Sequence, residues 1–255
     1  MNVLVVGYPK SGNTWLTRLV AELLDCPVGG FWNQPDNLEI AIEGKDRKSN
    51  FTVYKGHHTF EKIKQDIDIN YIIYIVRDIR DVVCSSINFF ESLQFIPKNE
   101  IETLIGEIPK IRKAYSNIVG MKSRSIDAMI RTASDGDVSI SPWFSTPWDK
   151  HIESFRDAGT LIIKYEDLLL SPESECIKIL SHVDCPRSNR DIRKAIKNQS
   201  FAVKKREFSE NGQASKANFM RSGKSGNWHS YLSKEQALRI ENRFEEIMRS
   251  LEYIH

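Results

Sequence analysis

Apolar residues fall in short unbroken runs, separated by longer stretches in which they recur every three or four positions. The runs are Asn2-Val-Leu-Val-Val-Gly7, Phe51-Thr-Val-Tyr54, Tyr71-Ile-Ile-Tyr-Ile-Val76 and Thr160-Leu-Ile-Ile-Lys-Tyr165. Segments of this length, rich in Val and Ile, predict strands buried on both faces. Thr14 to Asp25 predicts a helix: Trp15, Leu19 and Leu23 lie on one line, and Leu16, Val20 and Leu24 on the next. Val82 to Phe90 predicts a second helix, and Ser171-Pro172 starts another with proline at the first helical position. Ser233 opens the closing helix; Gln236 completes a capping box, and Ala237, Ile240, Phe244, Ile247 and Leu251 form the apolar stripe. Strands alternating with helices predict an α/β fold: a single domain with a central parallel β-sheet flanked by helices, with ligands at the carboxyl ends of the strands.

Two stretches depart from this pattern. Residues from about 91 to 150 read as a helical and loop insertion, closing on the aromatic segment Ser141-Pro-Trp-Phe-Ser-Thr-Pro-Trp148. Such an insertion is a candidate for the lining of a substrate site, as is Phe89-Phe90. Residues 204–230 are polar and rich in Lys, Ser, Asn and Gly, and read as a long surface loop that orders over a bound ligand.

Composition narrows the function classes. The chain has 255 residues, 40% of them hydrophobic and 27% charged, with a formal net charge of +2. That is an ordinary globular composition with room for a core and a cleft. Near-neutral charge argues against a dedicated nucleic-acid partner. No apolar run approaches the roughly 20 residues of a membrane span, and Met1 to Tyr8 lacks the basic start of a signal peptide. Cys26, Cys84, Cys176 and Cys185 show no CxxC spacing, so a reduced, cytoplasmic chain is expected.

The candidate chemistry begins after the first strand. Gly7 and Gly12 have the GxxxxG spacing of a phosphate loop that leads into a helix N-terminus. The nucleotide-triphosphate version continues with Lys and then Ser or Thr, whereas Asn13 and Thr14 stand here and the lysine lies inside the loop, at Lys10. A lysine in that place would sit beside a bound group, and the loop reads as suited to a phosphate without a required metal. A P-loop kinase remains open through Asp78, next to the end of a strand, and so does a non-catalytic nucleotide-binding protein.

The whole string Tyr8-Pro-Lys-Ser-Gly-Asn-Thr-Trp15 is far more specific. It resembles the first signature, YPKSGxTW, of the sulfotransferases that use 3′-phosphoadenosine-5′-phosphosulfate (PAPS), and matches every fixed position. The resemblance implies that Lys10 meets the oxygen bridging phosphate and sulfate. It also implies that Ser11, Gly12, Asn13 and Thr14 hold the phosphate through their amides, and that Trp15 packs on adenine. The family's second signature, an Arg after a strand and a Ser eight residues on, is similar to Arg77 and Ser85, which would then hold the 3′-phosphate. From the residues alone, Arg77 could instead pair with Asp81, and Ser85 could be a packing residue.

Lys55-Gly-His57 is similar to the family's Lys-x-His, whose histidine is the general base. It implies that His57 removes the acceptor proton and that Lys55 stabilises charge; the adjacent His58 competes for the first role. Tyr165 and Phe201 resemble adenine contacts. Arg221-Ser-Gly-Lys-Ser-Gly-Asn-Trp228 resembles the closing signature RKGxxGxW, with Ser222 in place of Lys and Asn227 in place of the usual Asp. Arg221, Ser222 and Gly223 would face the 3′-phosphate. The implied reaction is sulfuryl transfer from PAPS to the hydroxyl, or second the amine, of a small molecule, with adenosine 3′,5′-bisphosphate as product. The family's C-terminal dimer motif has no match after Trp228, so the oligomeric state stays open.

Overall fold

The computed structural model describes residues 1–34, 37, 40–92, 122–138, 140–156, 159–210, 212 and 223–255. Among these residues five strands form one parallel sheet: β1 (Asn2–Val6), β2 (Val28–Phe31), β3 (Thr52–Gly56), β4 (Ile69–Val76) and β5 (Leu161–Lys164), in the order β2-β3-β1-β4-β5. The helices are α1 (Asn13–Leu23), α2 (Phe60–Ile63), α3 (Ile79–Ser92), α4 (Lys122–Asp135), α5 (Trp148–Glu153) and α6 (Tyr165–Leu170). They continue with α7 (Pro172–His182), α8 (Asn189–Asn198), α9 (Phe201–Glu210), α10 (Lys234–Arg243) and α11 (Glu245–Ser250). No helix among the described residues is long and apolar enough to cross a membrane.

Alternation along the strands builds two cores. Leu4, Val6, Tyr74 and Val76 face one side, with residues of α3, α4 and α10. Val3, Val5, Ile73 and Ile75 face the other, with residues of α1, α7 and α8. Both faces are covered, which is why these strands read as continuous apolar runs. The chain leaves β1 for one side of the sheet, returns beside it as β3, and crosses to the other side for β4 and β5. That reversal makes the carboxyl end of β1 the switch point of the sheet, where open α/β sheets take their ligands.

Three local expectations are corrected. Val28–Phe31 is a strand that the sequence did not announce, because Gly29 and Gly30 carry no strand preference and pairing with β3 supplies the order. The first part of the surface loop expected over residues 204–230 is helix instead, within Phe201–Glu210. The ion pairs Lys204–Glu207 and Arg206–Glu210, at helical spacing, support that polar segment. The closing helix, whose Ser233–Gln236 capping box forms as expected, breaks at Phe244 into α10 and α11.

Candidate functional site

The loop after β1 turns tightly: the Ser11 amide donates to the Tyr8 carbonyl at 3.2 Å. Lys10 takes a left-handed backbone (φ 71°), which costs an L-residue about 1–2 kcal/mol. Gly12 caps α1 with φ 104°, and a Cβ there would stand 2.7 Å from the Tyr165 ring. No side chain caps this helix, and Leu16 is the first residue whose amide reaches back into it, donating to Gly12 at 3.1 Å. The amides of Asn13, Thr14 and Trp15 therefore have no intrahelical acceptor, and they carry the positive end of the helix dipole. The Asn13 side chain turns inward, donating to the carbonyls of Gly7 (3.0 Å) and Gly56 (3.4 Å). Where a triphosphate loop has a lysine, this chain has a strut between the ends of β1 and β3.

Arg77 follows β4 and is nearly buried. Its guanidinium donates to the carbonyls of Lys10 (3.4 Å) and Lys224 (3.2 Å) and lies over the Tyr165 ring, 4.3 Å from its centroid. It also stands 3.6 Å from Asp81, so the pairing foreseen as an alternative is present. Its buried Nε, like the Ser11 hydroxyl, has no protein partner. Ser85 is half-buried on α3. Trp15 sets its edge against Tyr165, with centroids 5.6 Å apart, and donates to the Gln199 carbonyl at 3.0 Å. Phe201 packs on Gly223, where φ is 56° and a Cβ would lie 2.6 Å from the phenylalanine ring. Arg221 and Ser222 lie outside the described residues.

Beyond β3, His57 is buried, with Nδ1 2.7 Å from the Gly7 carbonyl oxygen. A carbonyl only accepts, so Nδ1 carries a proton, and in the neutral imidazole Nε2 is the nitrogen with the lone pair. The His57 carbonyl in turn accepts from Nε2 of the buried His151 at 3.1 Å, while Tyr74 Oη donates to Nδ1 of His151 at 2.8 Å. Burial pushes the His151 pKa down to about 4. His58 sits among Phe31 and Trp143, with centroids 5.9 and 5.2 Å away. Burial, then its neighbour His57, brings its pKa down to about 4. Phe31 and Trp143 pack on each other at 4.8 Å, and Lys55 Nζ lies 5.7 Å from the Phe31 centroid.

A family model described as Sulfotransferase domain matches residues 1–252. The chain belongs to the sulfotransferase family. Sulfotransferase 1 family member D1 of Mus musculus is 23% identical over 269 residues, covering 95% of this chain and 82% of the relative. Sulfotransferase 2A1 of Homo sapiens is 22% identical over 272 residues, covering 98% and 85%. Cytosolic sulfotransferase 3 of Arabidopsis thaliana is 23% identical over 274 residues, covering 94% and 74%. The crystal structure of mouse sulfotransferase SULT7A1 complexed with PAP aligns with TM-score 0.68 and 20% identity, over 97% of this chain and 84% of that one. Retinol dehydratase in complex with androsterone and inactive cofactor PAP aligns with TM-score 0.63 and 18% identity, over 97% and 80%. These structures share the fold.

In this sulfotransferase, loop, Arg77, Tyr165 and His57 meet at one edge because every strand is parallel and each of the four follows a strand's carboxyl end. Phe31, at the end of β2, escaped the sequence reading together with its strand. Asp78, the acid that kept a metal-dependent kinase open, is gripped by Arg80 through Nε (3.0 Å) and a second nitrogen (2.6 Å). Asp81 is close enough to Arg77 in sequence to suggest that pair; its bonds to residues far along the chain have no local signal. Trp148, at the end of the aromatic segment, is wholly buried in the core, as is Phe144, while Trp143 joins the rings at His57. The side chains of Phe89 and Phe90 lie outside the described residues.

Proposed function

We propose that this sulfotransferase moves the sulfuryl group of PAPS to a hydroxyl (second, an amine) of a small molecule, with His57 as general base. The observation that carries the reading is one convergence. An uncapped helix N-terminus, the Arg77 guanidinium and a histidine whose Nδ1 is tied to a backbone carbonyl share the carboxyl edge of the sheet. The residues present suit a doubly phosphorylated donor. The Ser11 hydroxyl and Arg77 Nε are buried polar groups without protein partners, and α1 offers unpaired amides. PAP in two structural relatives agrees with such a donor.

When bound, the donor supplies a sulfuryl group on a phosphate leaving group. Lys10, Ser11, Gly12, Asn13 and Thr14 hold the 5′ end, Trp15, Tyr165 and Phe201 take the adenine, and Arg77, Ser85, Arg221, Ser222 and Gly223 take the 3′-phosphate. His57 Nε2 takes the acceptor proton as the acceptor oxygen bonds to sulfur and the bond from sulfur to the bridging oxygen breaks. Lys10 and Lys55 stabilise negative charge on that bridging oxygen, so positioning and electrostatics supply most of the rate. His57 is favoured over His58 as the base because its Nδ1 is anchored on a carbonyl, whereas the buried Nδ1 of His58 has no partner.

Phe31, His58 and Trp143 give the acceptor side apolar ring surfaces, which suits a phenol or a steroid-like alcohol. Trp143 comes from the stretch expected to shape that side. We read the chain as one sulfotransferase domain. None of its four cysteines is in a disulfide, which suits a cytoplasmic location. The deciding experiment incubates the protein with sulfur-labelled PAPS and a panel of phenols, steroid alcohols, aliphatic alcohols and amines. Label is expected on a hydroxyl, and calorimetry should show heat with adenosine 3′,5′-bisphosphate. Absence of both would overturn the proposal.

A further inference from the structure

We infer that Asp81 is a positioning residue that latches the Gly223–Trp228 loop onto Arg77 and so builds the 3′-phosphate end of the donor site; the inference rests on the donor reading above. Asp81 lies in the first turn of α3, four residues after Arg77, and is almost fully buried. One carboxylate oxygen accepts from the Gly226 amide (2.8 Å) and the Ser225 hydroxyl (3.4 Å); the other accepts from the Trp228 amide (3.0 Å). Arg77 stands 3.6 Å away and itself donates to the Lys224 carbonyl at 3.2 Å. One buried carboxylate thus gathers three donors from a loop 144 or more residues distant, beside the cation that faces the same loop.

The physics favours a latch over a simple ion pair. Two short bonds from backbone amides to an ionised carboxylate outweigh a 3.6 Å contact to a guanidinium that has other acceptors. Side chains of the loop are not needed for these amide bonds, so the loop's path is fixed while its residues remain available to a ligand. Arg80 adds a second hold: its guanidinium lies over the Trp228 ring, 4.1 Å from the centroid.

The test uses the full chain. Amide hydrogen exchange in the ligand-free wild type should be slow at Gly226 and Trp228. In Asp81→Asn and Asp81→Ala it should be at least about tenfold faster there, with Val5 and Ile75 unchanged. Calorimetry should find adenosine 3′,5′-bisphosphate bound about tenfold more weakly by Asp81→Asn, with donor KM raised to match and kcat within about threefold. Asp81→Glu should not restore affinity, because the longer side chain displaces the loop. Wild-type affinity in Asp81→Asn with unchanged exchange at Gly226 and Trp228 would overturn the inference. So would fast exchange at both amides in the wild type, a readout that needs no variant to fold. If the wild type itself bound no adenosine 3′,5′-bisphosphate, the donor reading would fall, while the exchange data would still decide whether Asp81 holds the loop.

Discussion

His57 Nδ1 meets the Gly7 carbonyl oxygen at 2.7 Å, across the parallel pair β1 and β3. The bond joins the residue proposed as base to the first residue of the phosphate loop. It orients the imidazole and fixes its place relative to that loop. Because the anchor is a backbone carbonyl, no side-chain substitution at position 7 replaces it. For His57→Ala we expect kcat to fall about 10²–10⁴-fold, as for loss of a general base, with affinity for adenosine 3′,5′-bisphosphate within about threefold. Paired single-turnover and calorimetric measurements check this, and near-normal turnover would remove His57 from the mechanism.

Arg77 touches both loops and Tyr165. Arg77→Ala should weaken binding of adenosine 3′,5′-bisphosphate by about ten- to a hundredfold, the range for a hydrogen bond to a charged group. Arg77→Lys should recover only part of it, since an ammonium lacks the planar fork. Unchanged affinity in a calorimetric titration would sink the assignment.

Trp143 packs on Phe31 and His58. Trp143→Ala should raise acceptor KM by about five- to twentyfold, the scale of one lost aromatic contact surface, and leave donor KM unchanged. Steady-state kinetics with each substrate varied in turn separates the two; a matching rise in donor KM would place Trp143 elsewhere.

His151 makes stability depend on pH. Its folded pKa, about 4, lies below the ordinary value of 6.5, because burial disfavours the cation. The unfolded chain therefore binds the proton first, and the contribution is fully present above pH 6.5 and lost as pH falls toward 4. The total is roughly 3 kcal/mol at about 1.4 kcal/mol per unit. His58 adds a smaller contribution of the same sign, being partly solvated. Denaturant unfolding between pH 7 and 5 should give a shallower loss of stability for His151→Asn than for the wild type; equal slopes would refute the assignment.

Tyr253, near the C-terminus, donates to Glu166 Oε2 at 2.9 Å, and the Asp78 amide donates to Oε1 at 3.1 Å. Burial raises the Glu166 pKa, so each lost donor is costly there. Tyr253→Phe should destabilise the chain by about 1–2 kcal/mol. In a chain of this size that lowers Tm by about 2–4 °C, a shift that differential scanning calorimetry resolves.

Much of this was legible locally. The apolar runs at Val3, Ile73 and Ile163 have few alternatives to buried parallel strands, and Gly12 before a helical pattern announces the tight turn into α1. The capping box at Ser233 is equally local. Phe201–Glu210 has no such signature, because its support is ion pairing on a polar surface rather than an apolar stripe, and β2 has none because its order comes from its neighbour.

By itself, then, the sequence determined the strands, the phosphate loop and the identity of the residues at their ends, since period, glycine spacing and side-chain chemistry act over a few positions. The tertiary structure decided which of those residues meet. Asp81 holding Gly226, His151 holding His57 and Phe31 facing Trp143 join segments tens to more than a hundred residues apart. Such contacts form only once the parallel sheet brings distant strand ends to a common edge, and no local pattern encodes that assembly.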